Sequence, residues 1–306
     1  MMFNIPEGVW PTMITPYTQD NKIDYQTLED MIEWYLKKGV NGLFAVCQSS
    51  EMFFLSLEER IELARFVKKA TGERVPVIAS GHISQSMEDQ IYELKAMADT
   101  GIDALVLISG NLAKEDEPDS AAKMSIERIL KEVPEIPMGI YECPLPYKRI
   151  ISPELLKWCA LTGRFNFLKD TSRDLSNMED KVRSIKDLNL KVFNANAATL
   201  LESLKFGVSG YSGVMANFHP ELYVWLMRNW RVNPEGAKKL QHFLGFSSAI
   251  EYQVYPINSK YFLGLDGFNI LSISRSKDIS SFDKSHMIEI EDFYYLSKEY
   301  SAKYII

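Results

Sequence analysis

The chain has 306 residues, of which 46% are apolar and 25% are charged, an ordinary composition for a globular protein with a sizeable core. Its formal net charge is -7, and no run of basic residues is longer than two. Both features argue against non-specific nucleic-acid binding, although a local site in an acidic protein can still be positive and accept a small anion.

The cysteines and the first residues predict the compartment. Cys47, Cys143 and Cys159 show no paired spacing, which fits free thiols in a reducing compartment. The first six residues contain no basic segment followed by an apolar one, so no signal peptide is expected. No apolar run approaches the roughly 20 residues that a membrane span needs. We therefore predict a cytoplasmic protein with no membrane partner.

Short β-rich runs alternate along the chain with longer amphipathic segments, a pattern typical of repeated βα units around a parallel sheet. Each run is short and mostly apolar, as expected of strands that are covered on both faces. Candidate strands are predicted at Trp10–Thr15, Gly42–Cys47, Pro76–Ser80, Ala104–Ile108, Pro137–Glu142, Asn166–Lys169, Val192–Ala195 and Gly210–Val214. Eight such units close most simply into a (β/α)8 TIM barrel, an α/β fold, and an open doubly wound sheet is the structural alternative.

Capping residues mark several helix starts. Asp24 offers an N-cap, Ser56 and Glu59 have capping-box spacing, and Ser152-Pro153 opens another helix. After residue 220 the strand signals fade, and the remainder is predicted mainly as helices with a loop near residues 272–284. We therefore predict one domain, with the barrel and its active site in residues 1–220. Residues 221–306 would form the last barrel helix and a C-terminal helical extension.

One lysine stands at the end of a predicted strand, where TIM barrels place their catalytic groups. Lys169 ends an otherwise apolar run, and Tyr141 is expected beside it on the neighbouring strand. The lysine could extend to solvent or pair with Asp170. Alternatively, burial could lower its pKa so that the neutral amine attacks a ketone and forms an iminium. The iminium draws electrons from the neighbouring carbon, which is what C–C cleavage or condensation of pyruvate requires.

Several motifs, in order and register, resemble those of one family. Tyr141-x-x-Pro144, Lys169-Asp170 and the hydroxyl-rich segment that ends in Glu51 resemble the dihydrodipicolinate synthase/N-acetylneuraminate lyase family. The resemblance spans nearly the whole predicted barrel, and it is also carried by Gly8-Val9-Trp10-Pro11, Ile14-Thr15-Pro16-Tyr17, Leu55-Ser56-x-x-Glu59-Arg60 and Gly101-Ile102-Asp103-Ala104.

The resemblance implies a (β/α)8 barrel, assembled as a homotetramer or dimer, that runs class I aldolase chemistry on a 2-oxo acid with neither metal nor other cofactor. Carried over by position, Lys169 would form the Schiff base and Tyr141 would transfer protons beside it. Ser49 and the backbone N–H of Ser50 would hold the pyruvate carboxylate, because short hydroxyls and turn amides can converge on an anion. The other substrate-binding residues that the resemblance implies are Gln48, Ser212 and Gly213.

The chain also departs from the usual residues of this family. Gln48 replaces a hydroxyl of the tyrosine proton relay, and an amide does not relay protons as a hydroxyl can. The relay's second tyrosine would fall at Asn111 or Leu112, and neither is a phenol. Glu142 stands where asparagine is usual, and is either an extra acid/base or a polar residue at a strand end. These departures support an alternative, a catalytically silent 2-oxo-acid-binding or regulatory protein, but the retained Lys169 favours the enzyme.

Further positions predict what the enzyme does not use. Pro146 replaces the arginine that grips the aldehyde's carboxylate in the lysine-biosynthetic branch, so negligible turnover of aspartate semialdehyde is expected. Ala197 and Ala198 replace acidic residues that bind sugar hydroxyls, so negligible cleavage of N-acetylneuraminate is expected. The four histidines are scattered and no carboxylates cluster with them, which predicts no metal site.

Overall fold

The computed structural model describes residues 4–305. Residues 1–3, part of the segment in which no signal peptide is expected, and residue 306, the end of the predicted extension, lie outside the described residues. Within the described range, eight parallel strands form one sheet: β1 (Gly8–Val9), β2 (Leu43–Val46), β3 (Val77–Ala79), β4 (Ala104–Ile108), β5 (Met138–Tyr141), β6 (Phe165–Asp170), β7 (Lys191–Asn194) and β8 (Gly210–Tyr211).

The sheet closes on itself. Strands β2 to β8 lie in sequence order, and β1 pairs with β8. The remaining gap between β1 and β2 is bridged just after β1, where the backbone N–H of Met13 donates to the Phe44 carbonyl O at 3.0 Å and the Phe44 N–H donates to the Pro11 carbonyl O at 3.0 Å. This closure confirms the predicted (β/α)8 barrel and excludes the open doubly wound sheet.

Each strand is followed by a helix, and the predicted caps are present. Asp24 accepts from the Thr27 N–H, Ser56 and Glu59 form a capping box, and Ser152 caps a helix that begins with Pro153. None of the helices within residues 4–305 is both long and apolar enough to cross a membrane. The helices are α1 (Tyr25–Lys37), α2 (Leu57–Thr71), α3 (Met87–Ala98), α4 (Asp119–Glu132), α5 (Pro153–Leu161), α6 (Leu175–Ser184), α7 (Leu200–Lys205), α8 (Pro220–Asn229), α9 (Pro234–Ser247), α10 (Ile257–Leu265) and α11 (Lys284–Tyr304).

The first strand was predicted in the wrong place. The structure has β1 at Gly8–Val9, paired with β8, rather than at Trp10–Thr15. A Cβ atom on Gly210 would lie 1.9 Å from the Gly8 carbonyl O, so the close approach of these two backbones requires glycine there. Pro11 has no N–H to donate to a ladder, and the chain around it bridges to β2 instead. The other seven predicted strands overlap the observed ones.

Aromatic side chains fill the interior of the barrel. The ring centroids of Phe167 and Phe193 lie 4.7 Å apart, and Trp10 packs on them at 5.7 Å and 5.9 Å. Phe44 packs on Phe167 at 6.2 Å. Phe167 precedes Lys169 by two residues on the same face of β6, because side chains alternate along a strand. Lys169 therefore lies between the aromatic layer and the C-terminal ends of the strands.

The helices after the barrel return to this same end. The predicted loop is present between α10 and α11, and it docks on Glu51. The Glu51 carboxylate accepts from the backbone N–H groups of Arg275 and Ser276 at 2.7 Å and 2.8 Å, and Lys260 Nζ donates to it at 3.0 Å. The Arg275 side chain pairs with Glu59 at 2.8 Å. The extension is thus anchored to the β2–α2 loop, which carries the predicted carboxylate-binding serines.

Candidate active site

A cavity of about 640 Å³ opens at the C-terminal ends of the barrel strands. Its wall contains Lys169 and Tyr141, together with Gln48, Ser49 and Gly213. The structure therefore brings together five of the seven residues that the sequence predicted for the site. Ser50 and Ser212 lie outside this lining.

Lys169 ends β6 with its side chain almost fully buried, at 3% exposed. It pairs in register with Tyr141 of β5, and its Nζ lies 4.3 Å from the centroid of the Tyr141 ring. Asp170 does not neutralise it, because the Asp170 carboxylate binds Lys181 at 2.6 Å. The two alternatives to a nucleophilic Lys169, a solvent-exposed amine and an ion pair with Asp170, are therefore wrong.

Burial lowers the pKa of Lys169 to about 8, because removal from water penalises the charged ammonium. The nearby Cys47, Cys143 and Glu251 act in the opposite direction and do not offset burial. With this pKa about a tenth of the amine is neutral at pH 7, compared with about 0.04% for an unperturbed lysine. The neutral amine is the form that attacks a carbonyl carbon.

Tyr141 is held by the residue that replaces the usual relay hydroxyl. The Tyr141 hydroxyl donates to Gln48 Oε1 at 3.2 Å, and the Cys143 thiol lies 3.8 Å from the same oxygen. Burial raises the pKa of Tyr141 well above its ordinary value, so the phenol is protonated at neutral pH. Gln48 thus orients a protonated phenol on the cavity wall.

The two loop serines occupy different positions. Ser49 lines the cavity, and its hydroxyl donates to Thr12 Oγ1 at 3.1 Å. The Ser50 hydroxyl braces the turn instead, because it donates to the Cys47 carbonyl O at 2.7 Å and accepts from the Cys47 N–H at 2.9 Å. A contribution of Ser50 to ligand binding must therefore come from its backbone N–H. Ser212 is likewise buried behind the lining, whereas its neighbour Gly213 is part of the wall.

A second phenol lies on the cavity wall and was not anticipated. Tyr255 comes just before α10, and its hydroxyl accepts a hydrogen bond from Asn217 Nδ2 at 3.0 Å. Burial raises the pKa of Tyr255 well above its ordinary value, while its hydrogen bond with Ser49 acts in the opposite direction. Tyr255 belongs to the helical extension, so a search of the strand ends could not find it. The one available signal was a Tyr-Pro pair ahead of an apolar helix.

Charged side chains from several loops were also missed. Arg173, in the β6–α6 loop, forms an ion pair with Glu251 from the segment between α9 and α10. Lys148 and Lys277 line the same cavity. Among residues 4–305, no group of three or more His, Cys, Asp or Glu side chains is arranged to hold a metal ion. The polar part of the lining combines amines, a guanidinium, phenols and hydroxyls with the carboxylates of Glu51 and Glu251.

Glu142 does not reach the cavity. Its carboxylate accepts from the backbone N–H groups of Ile151 at 3.0 Å and Thr171 at 2.9 Å, and it pairs with Lys181 at 2.5 Å. Burial and the charge of Asp170 raise the pKa of Glu142 to about 7. The interpretation as an extra acid/base for substrate is therefore wrong, and Glu142 is a polar strand-end residue in a buried ion cluster.

Comparisons with known proteins agree with this geometry. The model of the dihydrodipicolinate synthetase family matches residues 5–275. A 4-hydroxy-tetrahydrodipicolinate synthase from Haloarcula marismortui is 30% identical over 214 residues, 70% of this chain and 68% of the relative. One from Natronomonas pharaonis is 30% identical over 258 residues, 82% of this chain and 85% of the relative.

A solved structure shows the same fold. YagE, a prophage protein of the dihydrodipicolinic acid synthase family from E. coli K12 in complex with pyruvate, superposes with a TM-score of 0.86 at 21% identity, over 95% of this chain and 98% of that one. The predicted resemblance and enzyme class are confirmed, and the silent alternative is not favoured. The chain belongs to the dihydrodipicolinate synthetase family of class I, Schiff-base-forming aldolases.

Proposed function

We propose that this protein is a lyase or synthase in which Lys169 forms the Schiff base with pyruvate or a closely related 2-oxo acid. One observation carries the assignment: Lys169 is a buried amine on the cavity wall, its pKa is lowered to about 8, and no carboxylate within residues 4–305 pairs with it. A lysine in that state can act as a nucleophile at neutral pH.

The reaction follows from the groups beside the amine. Lys169 Nζ attacks the keto carbon, the keto oxygen leaves as water, and an iminium forms. Loss of a proton from the adjacent methyl gives an enamine, whose carbon attacks the aldehyde carbon of the second substrate. The new alkoxide takes a proton, and water then hydrolyses the iminium and frees the amine; cleavage is the reverse. Tyr141, protonated and adjacent to the amine, donates to the departing keto oxygen.

The β2–α2 loop and the end of β8 would hold the pyruvyl unit. Ser49 lines the cavity with its hydroxyl, and the backbone N–H of Ser50 would be the second donor to the carboxylate. Gln48 orients the Tyr141 phenol, while the backbone at Gly213 would line the pyruvyl end with Ser212 buried behind it. A side chain at Gly213 would lie 2.3 Å from the Tyr211 hydroxyl O. Short donors at one end and a bare backbone at the other suit a small, planar carboxylate.

We assign the two parts of the chain complementary roles. Residues 1–220 would supply the Schiff-base lysine and the carboxylate site, and residues 221–306 would complete the mouth of the cavity as part of the same domain. Tyr255 supports this division, because it is contributed by the extension and shares a hydrogen bond with Ser49. Tyr255 also provides the second phenol that Asn111 and Leu112 lack.

The assembly and compartment are part of the proposal. Phe54, Met124 and Leu145 are 50%, 64% and 40% exposed and line one groove beside the cavity, which suits contact with a second copy of the chain. We therefore propose a homo-oligomer, either a dimer or a tetramer, which light scattering after size-exclusion chromatography would measure. Three buried, unbridged cysteines fit a cytoplasmic protein.

Borohydride trapping tests the central assignment. Pyruvate plus borohydride should add one reduced pyruvyl group to the intact chain, and peptide mapping should place it on Lys169. Lys260 is the internal control, because it is buried and its pKa is also lowered to about 8, but it is bound to Glu51 at 3.0 Å. Lys169→Ala should abolish the adduct and leave the fold intact. An adduct on another lysine, or none with several 2-oxo acids, would refute the proposal.

The supporting groups have their own test. Tyr141→Phe keeps the ring and removes the proton, so turnover should fall by about 10²–10⁴. Ser49→Ala should weaken pyruvate binding by about 1–3 kcal/mol, because it removes a hydrogen bond to a charged group. Single-turnover adduct formation separates the two effects on rate and on affinity. Wild-type behaviour of both variants would show that the ligand does not bind here.

The second substrate is the open part of the proposal. The predictions against aspartate semialdehyde and N-acetylneuraminate rest on Pro146, Ala197 and Ala198, and they stay predictions. Pro146 lies outside the cavity wall, whereas Lys148, which the prediction set aside as displaced in register, and Arg173, which it did not consider, line it. Coupled assays at saturating substrate would check both predictions, and kcat/KM of about 10⁴ M⁻¹s⁻¹ or more for either substrate would refute the corresponding one.

A further inference from the structure

Tyr255 reaches the cavity from the helical extension, beside groups that the barrel supplies. It lines the same cavity as Ser49 and Tyr141, and its hydroxyl is hydrogen-bonded to Ser49. Within residues 4–305 no hydrogen bond joins Tyr255 to Tyr141, whose hydroxyl donates instead to Gln48 Oε1 at 3.2 Å. Tyr255 is therefore connected to the proposed carboxylate site and not to the phenol that is proposed to transfer protons.

Asn217 determines the direction in which the Tyr255 hydroxyl can donate. The Asn217 amide is oriented from both sides: Oδ1 accepts from the Tyr35 hydroxyl at 2.5 Å, and Nδ2 lies 2.9 Å from each of the carbonyl oxygens of Thr12 and Val214. Nδ2 also lies 3.0 Å from the Tyr255 hydroxyl O. Because an amide nitrogen donates and does not accept, Tyr255 cannot give its hydrogen to Asn217.

The hydrogen of the Tyr255 hydroxyl is therefore directed at Ser49 and the cavity. Ser49 donates its own hydrogen to Thr12 Oγ1 at 3.1 Å, so its oxygen is free to accept from Tyr255. Thr12 and Asn217 are fully buried, whereas Ser49 and Tyr255 line the cavity. Two neighbouring hydroxyl donors thus face the cavity and are held from behind by a buried polar network.

A carboxylate fits this pair of hydroxyls. It accepts at both of its oxygens, so the two hydroxyls can turn from each other to the anion, and both hydrogen bonds then become charge-assisted. Resting on the function proposed above, we infer that Tyr255 binds the carboxylate of the 2-oxo acid together with Ser49. In this role Tyr255 determines the affinity for the 2-oxo acid and does not transfer the proton of Tyr141.

Removing the Tyr255 hydroxyl should weaken binding of the 2-oxo acid without slowing its chemistry. In Tyr255→Phe the half-saturating concentration of pyruvate in borohydride trapping should rise by about 10–100-fold, because a hydrogen bond to a charged group is lost. The maximum rate of adduct formation should stay within about threefold of wild type, whereas loss of a proton-transfer group would lower it by about 10²–10⁴. Methyl pyruvate is the neutral probe, and its half-saturating concentration should change less than about fivefold, because its ester carbonyl accepts only a neutral hydrogen bond.

Tyr35→Phe is the matched control. It removes a phenol hydroxyl from the same network, on the far side of Asn217 and outside the cavity wall. Thermal melting should show the stability cost of each variant. The half-saturating concentration of pyruvate should stay within about threefold of wild type in Tyr35→Phe, because Tyr35 has no contact with the ligand.

The ester and the control variant separate binding from a general loosening of the site, which would weaken both probes. An unchanged affinity for pyruvate in Tyr255→Phe, equal responses of pyruvate and its ester, a fall in the maximum rate, or an equal loss of affinity in Tyr35→Phe would each overturn this inference while the Schiff-base function stands. If the wild-type protein forms no adduct on Lys169, the function proposed above fails instead.

Discussion

The ends of strands β5 and β6 present two faces with opposite surroundings. Tyr141 and Lys169 face the cavity, whereas the next residues, Glu142 and Asp170, face helix α6, because successive side chains alternate along a strand. On the α6 face, Lys181 is fully buried between the two carboxylates at 2.5 Å and 2.6 Å. On the cavity face, the Lys169 amine has no such partner among the described residues.

The comparison shows what makes a buried lysine reactive. Lys181 is buried more completely than Lys169, yet its ammonium is bound by carboxylates on both sides. Lys260 is an intermediate case, because burial lowers its pKa to about 8 but its amine is bound to Glu51 and does not line the cavity. A lowered pKa alone therefore does not identify the nucleophile. The combination of burial, no bound carboxylate and an open cavity does.

The substitution Lys181→Met should disrupt the buried ion cluster on the α6 face most strongly. Removing the ammonium leaves Glu142 and Asp170 buried together without a counter-ion, so the free energy of unfolding at pH 7 should fall by about 3–5 kcal/mol. Urea denaturation measures this change. Lys123→Met, on an exposed side chain, is the matched control and should stay within about 0.5 kcal/mol of wild type. A loss below about 1 kcal/mol for Lys181→Met would mean that the cluster is not held as described.

The same substitution on the cavity face should have the opposite sign. Lys169→Met removes a buried ammonium without a carboxylate partner, whose shift from 10.5 to about 8 corresponds to about 3 kcal/mol at most. We expect the free energy of unfolding at pH 7 to rise by about 1–3 kcal/mol, with complete loss of the pyruvate adduct. Destabilisation comparable to that of Lys181→Met would show that Lys169 has an unrecognised partner.

The cavity face was largely predictable from the sequence. Lys169 and Tyr141 each end a short apolar run, and consecutive strands of a barrel are neighbours, so their proximity follows from strand order alone. The predicted position of the first strand was wrong because the strand's position depends on the contact between Gly8 and Gly210, which are distant in the sequence. Local propensity favoured the apolar run after Pro11, whereas backbone pairing selected the residues before it.

The α6 face and the mouth of the cavity were not predictable in the same way. Lys181 meets Glu142 only because α6 packs over the ends of two strands, and no strand-end pattern marks a helical lysine. Glu251 and Tyr255 approach Lys169 from the extension, through helix packing that the sequence does not specify locally. Glu142 shows what the sequence could not decide. Its position was consistent with both an extra acid/base and a polar strand-end residue, and only its contacts with Lys181 and the neighbouring backbone distinguish the two.

The most specific effect concerns the pH dependence of Schiff-base formation, because this rate reports the protonation state of Lys169 alone. Only the neutral amine attacks, so the rate of Schiff-base formation should rise about tenfold per pH unit below about 8 and level off above it. Stopped-flow adduct formation with pyruvate measures the profile. A flat profile between pH 6 and 8, or one that rises through about 10.5, would contradict the lowered pKa.

The free energy of unfolding should also depend on pH through the lowered pKa of Lys169. Between pH 8 and 10.5 the unfolded chain holds a proton on Lys169 that the folded chain has released, so this residue's contribution to stability rises with pH across that window. Lys260 titrates in the same range and would mask the effect in wild type alone. The contribution of Lys260 cancels in the difference in free energy of unfolding between wild type and Lys169→Met. This difference should become smaller by about 1.4 kcal/mol per pH unit above pH 8. A constant gap from pH 7 to 10 would show that the amine is charged in the folded protein, and the contrast between the two faces would then lose its electrostatic basis.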